Sequence, residues 1–124
     1  MEKKMKVERI SFKALKAILN GEIREEATCI IKFYSNECKY CHALRGYYEE
    51  LASSYDDVYF FAFNTGDTTA LERYIQVEGV PSIALVQNTE RHKPVVHLID
   101  EPTNPNDHTW YRVSDIRRFI DRHK

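Results

Sequence analysis

The sequence predicts an α/β fold: a central mixed sheet flanked by helices on both faces. Three observations point there. Residues 28–34 and 58–64 are apolar almost throughout and rich in β-branched and aromatic side chains, as strands covered on both sides are. Segments with helical spacing of apolar residues alternate with them. Two further short apolar runs, 83–86 and 95–99, follow one another closely and add a strand pair, which makes the sheet mixed.

In chain order, Ser11 is placed to cap a first helix with Phe12, Leu15, Ile18 and Leu19 on one face, and Asn20-Gly21 ends it. Strand 28–34 follows. A long helix runs from about 39 to 54, carrying Leu44, Tyr48, Leu51 and Tyr55 at helical spacing, and Asp56-Asp57 breaks it. Strand 58–64 comes next. Thr69-Ala70-Leu71-Glu72 fits a capping box for a short third helix bearing Leu71, Tyr74 and Ile75. Gly79-Val80-Pro81-Ser82 reads as a turn into strand 83–86. Residues 87–94 join it to strand 95–99 and are long for a hairpin loop. Residues 101–112 hold Pro102, Pro105, Asp107 and two asparagines, and read as an exposed loop. Ser114 is placed to cap a last helix with Ile116, Phe119 and Ile120 inward.

A length of 124 residues suits one domain with a real core. We divide it into an N-terminal helical extension, residues 1–24, and a core, residues 25–124. The net charge of −1 argues against nucleic acid as a partner, since phosphate binding needs a basic surface. Arg117, Arg118, Arg122 and Lys124 make the end of the chain locally basic, as a solvated helix face would. No apolar run approaches the ~20 residues that span a bilayer, and Met1–Lys6 lack the apolar stretch of a secretory signal. A cytoplasmic, monomeric protein without membrane contact is expected.

Cys38-Lys39-Tyr40-Cys41 stands where a strand gives way to a helix. Two cysteines three apart at a helix start can close a small disulfide ring, and the helix N-terminus favours a thiolate there. Three cysteines are too few for a secreted disulfide scaffold. Cys29 lies in a strand and reads as a small core residue. Cys-x-x-Cys followed by His42 is also the attachment pattern of c-type haem, and a zinc site would need two further ligands beside the cysteines. No second close Cys/His pair is present, so neither a metal nor another cofactor is expected. Tyr59, Phe60, Phe61 and Phe63 read as core. Trp110 either folds back over the last helix or stands out as a partner contact.

Phe33-Tyr34-Ser35-Asn36-Glu37-Cys38-Lys39-Tyr40-Cys41-His42-Ala43-Leu44, with Tyr48-Glu49-Glu50-Leu51-Ala52 behind it, resembles the active-site segment of the thioredoxin superfamily, and is most similar to the thioredoxin-like domains of protein disulfide isomerases. Leu71–Ile83, with Gly79-Val80-Pro81 inside it, resembles the helix, turn and proline of that family. The resemblance covers roughly residues 25 to 100 and implies a thioredoxin-like fold and thiol–disulfide exchange. It implies that Cys38 is the nucleophile and Cys41 the resolving thiol. Pro81 is then the proline after a cis peptide bond facing the cysteines, and the Val80 backbone is free to pair with an extended substrate segment. The partners it implies are protein disulfides and dithiols, with a thioredoxin reductase-like protein for recycling.

Three positions depart from the family pattern. Glu37 replaces the Trp before the first cysteine. Lys32 replaces a buried acid thought to relay a proton to the resolving cysteine. Gly46 replaces a helix proline. If Lys32 points inward, its ammonium either snorkels out or sits partly neutral. Glu37, Lys39, Tyr40 and Lys32 are therefore the residues expected to tune the cysteines. Lys39 and the helix N-terminus favour the Cys38 thiolate and Glu37 opposes it, for an expected pKa of about 6–7.5. Lys39-Tyr40 between the cysteines leaves the direction of electron flow open. A scaffold with dispensable cysteines, gripping a partner with its rim around Trp110 and Pro81, is the alternative from a different class.

Overall fold

A computed structural model describes residues 7–90 and 92–124. Met1–Lys6, read above as lacking a leader's apolar stretch, lie outside the described residues. The order is β1 (Val7–Arg9), α1 (Phe12–Leu19), β2 (Ala27–Tyr34), α2 (Lys39–Ser53), β3 (Val58–Asn64), β4 (Ser82–Asn88), β5 (Val95–Leu98) and α3 (Val113–His123). The sheet runs β1-β3-β2-β4-β5. Strands β1 and β2 flank β3 in parallel, whereas β4 is antiparallel to β2 and to β5.

The pleat of β2 sorts its side chains onto two faces. Ile30 points into a cluster with Leu44, Tyr48 and Leu51 of α2 and Ile116 and Ile120 of α3. Cys29, Ile31 and Phe33 point the other way, to Leu15 and Ile18 of α1 and to Ile75. Strands buried on both faces need the near-continuous apolar runs seen in the sequence. Cys29 is a core residue. Burial pushes its thiol up to about 11, despite the Asn88 amide 3.8 Å from its sulfur.

Local chemistry sets the element ends. Ser11 Oγ accepts the Ala14 N–H at 3.1 Å, a cap worth about 1 kcal/mol. Gly21 follows the helix at φ +77°, left-handed, and a Cβ there would sit a tight 3.0 Å from Pro94 Cδ. Three helix expectations change. Leu71–Arg73 form a single 3-10 turn, not an α-helix. The Ala70 N–H is taken by Thr68 Oγ1, so the Thr69 cap is not used, and a segment this short cannot repay helix nucleation. The last helix begins two residues early because Asp115, not Ser114, closes its start, accepting the Arg112 N–H at 2.9 Å. Residues 7–24 are no extension: β1 pairs with β3, and α1 buries Leu15 and Ile18 against the sheet. Three residues gave too little pattern for β1 to be read.

The loop expectations shift too. β4 continues to Asn88, which leaves a short connection to β5. The 101–112 segment is partly core: Thr109 and Tyr111 are buried and Trp110 is half-buried against the α2–α3 side. Tyr59 is 56% exposed and not core, its ring stacked on Phe61 across the pleat of β3. On α3, Arg118 pairs with Asp115, and Lys124 pairs with Asp57, as the solvated-face reading requires.

Candidate active site

The end of β2 and the start of α2 are joined by Ser35, Asn36 and Glu37. Two side-chain bonds hold this loop. The His42 Nε2–H donates to the Asn36 carbonyl at 2.7 Å, and the Asn64 amide donates to Asn36 Oδ1 at 2.9 Å. Asn64 is itself buried, and its Oδ1 accepts the Gly66 N–H, so the anchor is rigid. Nothing in the sequence marked Asn36 or Asn64 as anchors; polar residues directly at the ends of two adjacent strands were the available signal.

Cys38 is the N-cap of α2. It is joined to Cys41 in a disulfide with the Cα atoms 5.2 Å apart. Cys38 Sγ accepts the Cys41 N–H at 3.0 Å. That N–H is one of the unpaired donors of the first helical turn, and its bond to sulfur strengthens when the sulfur carries charge. Cys38 is half-buried, whereas Cys41 is 3% exposed. Cys38 is therefore the more open of the pair, and Cys41 lies one turn further along α2 in the core.

The surrounding residues divide. Glu37 and Lys39 are exposed beside the disulfide. Tyr40 is half-buried, its ring 5.4 Å from that of Trp110. Trp110 thus neither lies free nor simply covers α3: it reaches the first turn of α2. Its Nε1–H donates to Glu101 at 2.9 Å, and its backbone is left-handed at φ +67°, fixed by paired backbone bonds with Asn106. The Val80–Pro81 bond is cis. Ser82 pairs with Phe33, so Pro81 opens β4 at the end of the sheet from which the cysteine loop emerges.

Lys32 points inward. It is 4% exposed, on the face of β2 that meets α2, with its amine 5.0 Å from the Tyr48 ring centre and 5.7 Å from that of Tyr34. Burial lowers its pKa to about 8, with Glu49 opposing and Arg45 adding to the shift. Tyr48 donates its hydroxyl to the Phe61 carbonyl at 2.8 Å. Among the described residues no group of three or more His, Cys, Asp or Glu could hold a metal ion, and no helix is long and apolar enough to cross a membrane.

The family model that matches this chain is that of thioredoxin, over residues 10–102. The chain belongs to the thioredoxin family. No curated protein matches it in sequence. Among solved structures it is similar to the J-Trx1 fragment of ERdj5, at 22% identity and TM-score 0.66, covering 95% of this chain and 50% of that one. The chain thus spans about half the length of that fragment. Thioredoxin from Schistosoma mansoni superposes with TM-score 0.69 at 13% identity, covering 97% of each chain. A thioredoxin f2 complex with ferredoxin:thioredoxin reductase gives 0.68 at 16% identity, covering 94% of each. At such identities the likeness is one of fold, here the thioredoxin-like fold. Family membership together with the Cys38–Cys41 pair supports thiol–disulfide oxidoreduction at the general level.

Proposed function

We propose that this chain exchanges disulfides with protein substrates through Cys38 and Cys41. The observation that carries the reading is the disulfide at the N-cap of α2, between a half-buried and a buried cysteine. In the reduced protein the Cys38 thiolate attacks a substrate disulfide. One substrate sulfur leaves as thiolate and a mixed disulfide forms. Cys41 then gives up its proton and attacks Cys38 Sγ, the second substrate thiolate leaves, and two electrons have passed to the substrate. The Cys41 N–H on Cys38 Sγ supports a Cys38 pKa below the free-cysteine value. Val80 and Pro81, at the mouth of β4, are the place where an extended substrate segment would add as a strand. A reductase-like partner would return the electrons, as the reductase complex of thioredoxin f2 suggests.

The test is reduction of insulin disulfides by the wild type, Cys38→Ser and Cys41→Ser. The wild type should accelerate it, Cys38→Ser should lose the acceleration, and Cys41→Ser should accumulate mixed disulfide. Turnover that survives Cys38→Ser overturns the proposal. Inactivity of all three proteins would favour a binding module. The seating of Trp110 on Tyr40 beside the cysteines is the observation on that side.

A further inference from the structure

Beside Cys41, on the β1–β3 side of β2, lies a cleft of about 360 Å³. Its floor is a row across three strands: Arg9 of β1 is in register with Ala62 of β3, and Ala62 with Lys32 of β2. Ala62 carries only a methyl group, which leaves open the space beside the Lys32 amine. Tyr34 and Tyr48 give apolar walls, and one turn of α2 brings Cys41 to the rim.

The charges in this cleft do not balance. Arg9 is paired with Asp67 at 3.0 Å and Arg45 with Glu49 at 3.3 Å, both at the surface. Lys32 has no hydrogen-bond acceptor and no carboxylate within ion-pair distance among the described residues. Glu49, the acid that lines the cleft, is already engaged by Arg45. The Lys32 stem is enclosed and its amine opens onto the cleft, with ring faces beside it and no protein anion paired with it among the described residues, so an anion entering the cleft would meet a poorly solvated charge. The volume lies in the range of small-molecule sites, and aromatic walls around a cation left unpaired, Lys32, are what such sites present.

We infer that this cleft binds a small organic anion, with its carboxylate on Lys32 and its apolar body against Tyr34 and Tyr48. The site is separate from the thiol exchange proposed above, and it can be tested on the oxidised protein, in which Cys38 and Cys41 do not react. A ligand there would lie against the wall formed by Cys41.

The probe is benzoate, titrated calorimetrically into the oxidised full-length chain at pH 7, with benzamide as its uncharged counterpart. Saturable one-to-one binding of benzoate is expected, with benzamide at least about tenfold weaker. Lys32→Met should weaken benzoate to the benzamide level. Benzoate affinity in the wild type should fall as pH rises through about 8, where the amine loses its charge. The groups that face Lys32 are Arg9 from β1, Tyr34 from β2, and Cys41, His42, Arg45, Tyr48 and Glu49 from α2. Subtraction of the Lys32→Met profile removes their share. Absence of saturable benzoate binding to the wild type overturns the inference, as does equal binding of benzoate and benzamide. Both outcomes are readable without any variant.

Discussion

Replacing Lys32 with methionine should stabilise this protein at neutral pH. The side chain is 4% exposed, and burial holds its amine at about 8 against the ordinary 10.5. Between those two values the unfolded chain keeps a proton that the folded chain releases, so stability climbs as pH rises from 8 to 10.5. Below 8 both states are protonated and the fold bears the whole cost of the buried charge. Each pH unit of that gap corresponds to about 1.4 kcal/mol, giving a cost on the order of 3 kcal/mol at pH 7. Methionine keeps the unbranched stem but loses two ammonium–ring contacts, worth together about 1 kcal/mol. The net gain is about 2 kcal/mol, a shift of about 1 M in the urea midpoint. The assay is urea unfolding of both oxidised proteins at pH 7 and pH 10, taken as a difference so that other groups cancel. The difference should shrink to under about 1 kcal/mol at pH 10. A destabilised variant at pH 7, or a difference independent of pH, would refute the burial argument.

Two further substitutions test the frame around the cysteines. Tyr48→Phe keeps the ring under Lys32 but deletes the buried hydroxyl that bonds Phe61 O at 2.8 Å, and should cost about 1–1.5 kcal/mol, read as a fall in Tm of about 3–6 °C. At position 110, glycine should give a more stable protein than alanine by about 1 kcal/mol in urea unfolding, because both lose the indole but only glycine relieves the left-handed backbone at φ +67°. The opposite order would mean that the loop relaxes and carries no strain.

The parts of the fold written in long periodic runs were legible from the sequence. Strands β2 and β3 and helix α2 announced themselves by apolar content and by the spacing of Leu44, Tyr48 and Leu51, and the cysteine pair fell between them. What escaped depended on partners distant in sequence. Val7–Arg9 become a strand because β3 offers a free edge, not because of their own pattern. Residues 101–112 carry the composition of an exposed loop, yet Tyr111 and Thr109 fill space between α2 and α3. Tyr59 sits in an apolar run and shares its face with Phe61 and Phe63, but it stands near the start of β3 where the α1-side core no longer covers that face. The contact of Trp110 with Tyr40 could not be read, since it needs a residue in a conformation that L-amino acids rarely adopt.

Lys32 shows how far pattern reading reaches and where packing must take over. In an alternating strand Ile30 and Lys32 share a face, yet a run apolar on both faces left open whether the lysine points inward. Whether it could stay there depended on its neighbours in the row. A large side chain at 62 would have filled the space beside the amine and forced the stem outward. Alanine leaves that space open, and a short β1 ending at Arg9 keeps it reachable from solvent. The same small residue therefore explains both why a charge is tolerated beneath the active-site helix and why a cleft exists for something else to meet it. Filling the cleft from the protein's own side, by Ala62→Val, should then act on both at once, removing benzoate binding while pushing the Lys32 amine further below 10.5.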